Sequence, residues 1–161
     1  MRNKRVLVSV FICVIFLLGF SSQGFAAAAK GPMDFVNAAK AQITEMSATQ
    51  VKADLDAGKK IILLDVRSKE EFDAGHLPNA KNISRGLLEF LIGQAIPDKN
   101  SNIILYCRTG GRSALATLVL NEMGYKNAKN MAGAFKAWGT AGFPIYNRHG
   151  EFAMKAFELK K

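Results

Sequence analysis

Two continuous apolar runs of strand length alternate along the chain with segments that carry helix signals. The runs are Ile61-Ile-Leu-Leu64 and Ile103-Ile-Leu-Tyr106, the second preceded by Asn102. A strand that is apolar on both faces is typical of a parallel sheet covered by helices. The alternation therefore predicts an α/β fold with a central parallel sheet and helices on both faces. Ligands of such folds bind at the carboxyl ends of strands, and Cys107 is the first residue past the second run.

Two helices are predicted from capping boxes, in which a side chain at each of two positions satisfies the other's backbone N–H. Ser47-Ala-Thr-Gln50 begins one helix, which we expect to stop at Gly58. Ser68-Lys-Glu-Glu71 begins a shorter one, expected to end at Gly75.

A third helix is expected to begin near Ser113 and to stop at Gly124. Its apolar face is predicted to consist of Leu115, Leu118, Val119 and Met123. A further short helix is expected within Lys30–Ile43, at the edge of the domain, because Phe35, Ala39 and Ile43 lie near helical spacing.

The first 26 residues have the three parts of a secretory signal peptide. A basic start with Arg2, Lys4 and Arg5 precedes the uncharged run Val6–Phe20, and small residues follow, with cleavage expected after Ala26. The run is shorter than the ~20 residues that span a bilayer, so an uncleaved membrane anchor is the alternative. We therefore expect an exported protein, periplasmic or secreted.

The remaining roughly 135 residues have room for one hydrophobic core. We expect an N-terminal helical extension over 27–43, one domain over 44–145 and a C-terminal tail over 146–161, either docked or frayed. The content of 49% apolar residues excludes a disordered or fibrous chain.

The formal net charge is +9, and loss of the three basic residues of the signal peptide would leave +6. A basic domain favours anionic partners. No run of five Lys or Arg residues is present, and no basic stripe is interleaved with aromatic residues. We therefore expect no nucleic-acid partner, and membrane contact only through an uncleaved signal.

Cys107 is the only cysteine outside the predicted signal peptide, since Cys13 lies within it as an apolar filler. A lone thiol in an oxidising compartment is either buried and inert or kept for its reactivity. The neighbouring residues favour reactivity, because Cys107-Arg-Thr-Gly-Gly-Arg-Ser113 joins the second predicted strand to a helix.

Each residue type in this loop has a use in anion binding. Gly110 and Gly111 are expected to adopt backbone conformations closed to residues with a Cβ, so that successive N–H groups converge on one point. Thr109 adds a hydroxyl beside them. The helix near Ser113 adds its positive end, and Arg108 and Arg112 add full charges. Together these groups should lower the pKa of Cys107. Arg112 could instead pair with a carboxylate.

The stretch from about Ile43 to Pro144 resembles a single rhodanese domain, a module similar to thiosulfate sulfurtransferases. The resemblance rests on four ordered motifs: Leu64-Asp-Val-Arg67 with Glu71-Phe72, Gly75-His-Leu-Pro-Asn-Ala80, the Cys107–Ser113 loop, and Met131-Ala-Gly133 running to Trp138. It implies a small α/β domain and a persulfide on Cys107. Asp65 and Arg67 are implied to support the loop.

The resemblance also implies substrates. Sulfane sulfur would pass from thiosulfate or a polysulfide to a thiol, to cyanide or to a protein acceptor, with no cofactor. A carrier or binding module without turnover is the alternative. Phosphatases and arsenate reductases that share the fold place the arginine six positions after the cysteine, whereas Arg112 is five positions after Cys107.

The remaining polar candidates receive structural interpretations. His76 is expected to satisfy backbone groups at a turn rather than to act as a base. With His149 and one cysteine it does not form a metal site. Asn82-Ile-Ser84 matches a glycosylation sequon, which matters only in a host that glycosylates secreted proteins. Trp138 is assigned to the core or to a lid.

Overall fold

The computed structural model describes residues 29–153. The predicted signal peptide with Cys13, and the end of the predicted tail, lie outside the described residues. The helices are α1 (Pro32–Lys40), α2 (Ala48–Asp56), α3 (Lys69–Ala74), α4 (Leu88–Ala95), α5 (Gly111–Glu122) and α6 (Ala134–Thr140), with a 3-10 turn at Arg85–Leu87. The strands are β1 (Glu45–Ser47), β2 (Ile62–Asp65), β3 (Lys81–Asn82), β4 (Ile103–Tyr106), β5 (Lys129–Ala132), β6 (Ile145–Asn147) and β7 (Gly150–Phe152).

Five strands form one parallel sheet in the order β1-β5-β4-β2-β3. The two strands predicted from their apolar runs, β2 and β4, are neighbours, with Leu64 opposite Leu105. Successive side chains on them point to opposite faces and enter two separate clusters. One cluster contains residues of α4 and α5, and the other contains residues of α2 and α6. The predicted α/β fold with helices on both faces is confirmed.

Both predicted capping boxes are present. Ser47 Oγ accepts from the Gln50 N–H at 3.1 Å, while Gln50 Oε1 accepts from the Ser47 N–H at 2.8 Å. Ser68 and Glu71 make the same exchange at 3.2 and 3.3 Å. The short helix expected at the domain edge is also confirmed, as α1.

The helix that follows Cys107 differs from its prediction in two ways. It begins at Gly111, ahead of Ser113, and its buried side chains are Ser113, Ala114, Ala116, Thr117 and Leu120. Leu115, Leu118 and Val119 are only half-buried. The predicted face was wrong because the small residues let α5 lie close to the sheet, so the helix buries the side that carries them. The larger apolar side chains lie beside this buried face.

The short strands gave no clear sequence signal. β1, β3 and β5 are only two to four residues long, and β1 and β3 form the edges of the sheet. After Pro144, β6 and β7 form an antiparallel hairpin, and Ile145 is fully buried. The predicted tail, which begins at 146, is held where the backbone of Tyr146 bonds that of His76, and the stretch from 148 to 153 is exposed. Among residues 29–153, no helix is long and apolar enough to cross a membrane.

Candidate active site

Cys107 lies at the carboxyl end of β4, in the middle of the parallel sheet. The next residues turn at once into α5, so the side chain is held where a strand end meets a helix start. The residue is 1% exposed, while Arg108 and Thr109 beside it are exposed. The thiol therefore sits at the base of the loop, with polar groups around its rim.

Two donors of the loop point at the Cys107 sulfur. The Gly110 N–H lies 3.2 Å from Sγ, and Ser113 Oγ lies 3.5 Å from it. Gly110 reaches this position with a φ of 100°, in the left-handed region that favours glycine. Gly111 has ordinary helical geometry, so the expectation that it also needs a special conformation was wrong.

The surroundings of Cys107 lower the pKa of its thiol. Burial opposes this, since it disfavours the charged form, but the hydrogen bonds from the Ser113 side chain and from the backbone of Ser113, Thr109 and Gly110 outweigh it. The start of α5 adds its positive end. The loop thus favours a thiolate, the nucleophilic form of cysteine.

The start of α6 and a buried amide hold the loop from behind. The backbone N–H groups of Phe135 and Lys136 donate to the carbonyls of Cys107 and Arg108, each at 3.0 Å. Asn130 Nδ2 donates to the Gly110 carbonyl at 3.2 Å and to Glu45 Oε1 at 2.6 Å. These contacts fix the backbone on both sides of the sulfur.

Arg112 pairs with Glu71 of α3 rather than standing free. Its Nη1 and Nη2 donate to the two carboxylate oxygens at 2.8 and 2.9 Å. Hydrogen bonding to Arg112 lowers the pKa of Glu71 to about 2. Hydrogen bonding to Glu71 raises the pKa of Arg112, and attraction to Cys107 adds to this. The sequence left open that Arg112 pairs with a carboxylate, and the structure shows this pairing with Glu71.

Arg108 is the other cation of the loop. Within the described range 29–153 its side chain has no ion-pair partner. Because Arg112 shares its charge with Glu71, Arg108 and the backbone N–H groups are the groups best placed to attract an anion.

Asp65 and Arg67 form a buried ion pair next to the loop. Arg67 Nε lies 2.9 Å and Nη2 2.6 Å from Asp65 Oδ2, and the two residues are 0% and 4% exposed. Arg67 also donates to the Gly75 carbonyl at 2.7 Å and lies 4.3 Å from the centre of the Phe135 ring. The structure thus connects the pair to the loop through Phe135, whose N–H binds the Cys107 carbonyl.

The other polar candidates have structural contacts. His76 Nδ1 lies 3.0 Å from the Phe72 carbonyl, and its ring stacks on the Phe72 ring. Asn82 Nδ2 donates to the carbonyls of Asp65 and Arg67, so the sequon amide is already engaged. Trp138 is fully buried in the core. Between residues 29 and 153 no group of three His, Cys, Asp or Glu side chains is arranged to hold a metal ion.

Several residues near the site gave no signal in the sequence, or gave one that revealed only part of their role. Asn130 gave no signal, because a single buried amide has no sequence pattern. Glu71 was recognised as a helix cap, but its contact with Arg112 joins positions 41 residues apart. Phe135 and Phe152 line a cavity beside the loop together with Arg67, Glu71 and Arg108.

Comparison with known proteins gives a consistent result. A family model described as "Rhodanese-like domain" matches residues 47–141. The thiosulfate sulfurtransferase PspE of Escherichia coli is 37% identical over 70 residues, which cover 44% of this chain and 67% of that protein. The chain spans about a fifth of the length of some curated relatives it matches (21%) and nearly all of another (99%).

Two solved structures extend the comparison. The polysulfide-sulfur transferase homodimer of Wolinella succinogenes is 34% identical, with a TM-score of 0.60 over 70% of this chain and 85% of that one. A Rhodopseudomonas palustris protein of unknown function, described as a possible tyrosine phosphatase, is 28% identical, with a TM-score of 0.69 over 73% and 96% of the two chains.

Proposed function

The chain belongs to the rhodanese-like domain family, and on that premise we propose that it is a sulfurtransferase that carries sulfane sulfur as a persulfide on Cys107. The observation that carries the proposal is the environment of the Cys107 sulfur. Two donors point at it, a helix begins beside it, and its pKa is lowered. Such a thiolate is prepared for attack on electrophilic sulfur.

In the loading step we propose thiosulfate as one donor. The Cys107 thiolate attacks the outer sulfur of thiosulfate, the S–S bond of thiosulfate breaks, and its electron pair leaves with sulfite. The product is Cys107-S-S⁻, and the total charge is unchanged. The exposed Arg108 cation faces the approaching anion, while the Gly110 N–H stays directed at Sγ.

In the release step a nucleophile attacks the outer sulfur of the persulfide. The bond between the two sulfurs breaks, and its electron pair returns to Cys107 as thiolate. With cyanide the product is thiocyanate, and with a thiolate it is an organic persulfide. The attacking group is an anion in both steps, the Cys107 thiolate in loading and cyanide or a thiolate in release, so the mechanism assigns no residue as a base.

The loop geometry supports sulfur transfer over phosphate chemistry. The loop is one residue shorter than a phosphatase loop, and its arginine is bound by Glu71 at 2.8 and 2.9 Å. A phosphate would have to compete with that carboxylate for Arg112. A single sulfur atom needs only the donors that already face Sγ.

Intact-mass spectrometry tests the proposal. The purified protein is measured before thiosulfate, after thiosulfate and after cyanide. We expect a gain of about 32 Da, one sulfur atom, that cyanide removes. Steady formation of thiocyanate would support an enzyme, and a single slow release would support a carrier. A protein whose mass does not change with thiosulfate or with polysulfide would contradict the persulfide mechanism.

We also propose that the protein is exported. The support is the order of basic, apolar and small residues in 1–26. Fractionation of cells that express the full chain, with the mass of the isolated protein, tests this. A chain that begins near Ala27 in the exported fraction is expected, and a full-length chain in the membrane fraction would favour the anchor.

A further inference from the structure

The hairpin of β6 and β7 closes one side of a cavity beside the Cys107–Ser113 loop. The cavity has a volume of about 350 Å³, and its walls include Arg108, Phe135 and Phe152. Arg108 directly follows Cys107, and the Phe135 N–H donates to the Cys107 carbonyl at 3.0 Å. A ligand in this cavity therefore lies against the loop. The family model matches residues 47–141, and the hairpin follows that range.

The hairpin is fixed in place by contacts of both strands. The backbone of Tyr146 exchanges two hydrogen bonds with that of His76, at 2.8 and 2.9 Å. Ile145 is fully buried. At Gly75 a Cβ would lie only 3.1 Å from Ile145 Cγ2 and from Phe152 Cζ, so the absence of a side chain there lets the hairpin approach. Phe152 is 36% exposed, with part of its ring available to a ligand.

The charges around the cavity are mostly paired. Arg67 is bound by Asp65, and Glu71 is bound by Arg112. Among the described residues this leaves Arg108 as the charged wall residue without an ion-pair partner. As far as the described residues show, the cavity combines the unpaired Arg108 cation with an apolar wall made by Phe135 and Phe152. Such walls suit a ligand with one anionic group and a hydrocarbon part.

We propose that Phe152 is a specificity-determining residue that selects, as sulfur acceptor, an organic thiol carrying a carboxylate on a hydrocarbon chain. The inference rests on the proposed persulfide on Cys107. The carboxylate is attracted by Arg108, the chain contacts Phe152 and Phe135, and the thiolate attacks the outer sulfur. The sulfur–sulfur bond breaks, its electrons return to Cys107, and an organic persulfide leaves.

A pair of acceptors of different chain length tests this specificity. Protein loaded with thiosulfate is offered 3-mercaptopropionate or 6-mercaptohexanoate, and kcat/KM is measured for each. Each added methylene that reaches the apolar wall should raise kcat/KM about two- to fourfold. We expect the wild type to favour the longer acceptor by at least about fivefold. Phe152→Ala should lose most of that preference, while Phe152→Leu should keep it.

Phe90→Ala is the matched control, because Phe90 is 81% exposed on α4 and lies outside the cavity. It should leave both the chain-length preference and the cyanide turnover unchanged. Equal chain-length preference in the wild type and Phe152→Ala, or no preference in the wild type, would overturn the inference.

Failure of the persulfide chemistry is seen separately, as the absence of a mass gain before any acceptor is added. Binding of hexanoate and propionate, followed by NMR titration, needs no sulfur chemistry. Tighter binding of hexanoate to the wild type, reduced in Phe152→Ala, supports the apolar wall. Equal binding of the two carboxylates to the wild type counts against it.

Discussion

The guanidinium of Arg112, in the first turn of α5, lies 2.8 and 2.9 Å from the two carboxylate oxygens of Glu71 in α3. This pair connects the loop at the end of β4 to a helix that follows β2. It also divides the charges of the loop, since Arg112 is paired with Glu71 while Arg108 has no ion-pair partner between residues 29 and 153. The consequences of this division can be measured.

Replacing Glu71 with Gln should lower stability by a pH-dependent amount. The pKa of Glu71 falls from 4.5 to about 2 on folding. A lowered folded-state pKa stabilises the protein above the unfolded pKa, and the contribution is lost as the pH falls from about 4.5 towards 2. Because the pair is partly exposed, we expect about 0.5–1 kcal/mol at neutral pH. Urea unfolding at several pH values checks this, and a difference that persists at the acid end would contradict it.

Arg108→Ala should weaken the use of thiosulfate. The side chain is exposed and is the unpaired cation of the loop over the described part of the chain, so we expect KM for thiosulfate to rise about tenfold with kcat largely kept. Steady-state kinetics with cyanide as acceptor measure this. Lys60→Ala removes an exposed charge away from the site as a control. Unchanged thiosulfate kinetics in Arg108→Ala would assign anion binding to the backbone N–H groups alone.

Ser113→Ala should raise the pKa of Cys107. The hydroxyl lies 3.5 Å from Sγ and helps to hold the thiolate. When the pH is lowered, the rate of reaction with iodoacetamide should therefore begin to fall at a higher pH in Ser113→Ala than in the wild type. The pH dependence of that rate is the measurement, with Ser101→Ala as a control. Superimposable profiles for Ser113→Ala and the wild type would refute the role of the hydroxyl.

Cys107→Ser should abolish sulfur transfer and leave stability within about 1 kcal/mol of the wild type. The hydroxyl is close in size to the thiol, and the donors from Gly110 and Ser113 remain to bind it. Mass spectrometry after thiosulfate and thermal unfolding measure the two effects. Persulfide formation in this variant would place the sulfur elsewhere.

Asp65→Ala should destabilise the protein by about 3–5 kcal/mol, because it leaves the Arg67 charge buried without its partner. Asp56→Ala breaks the exposed pair with Lys52 and should cost at most about 1 kcal/mol. Equilibrium unfolding in urea compares the two. Similar small losses in both variants would show that Arg67 finds another partner.

Local signals in the sequence were enough to predict several elements of the fold. The apolar runs at β2 and β4 predicted two strands. Ser47 and Ser68, which form capping boxes with residues three positions further on, predicted two helix starts. The alternation of strands and helices followed from these local patterns. The position of Cys107 after β4, before a glycine-containing turn into a helix, could likewise be predicted from the sequence. A reactive cysteine was therefore predicted without any knowledge of what surrounds it in space.

Contacts between residues far apart in the sequence depend on the packing of the whole fold. Arg112 finds Glu71 across 41 residues, Asn130 reaches the Gly110 carbonyl, and Phe152 comes to lie beside Gly75. The short edge strands formed because partners were present, and the small residues of α5 were buried because the helix approaches the sheet closely. Such contacts depend on the packing of separate elements, whose relative positions are set by the whole core rather than by any local pattern.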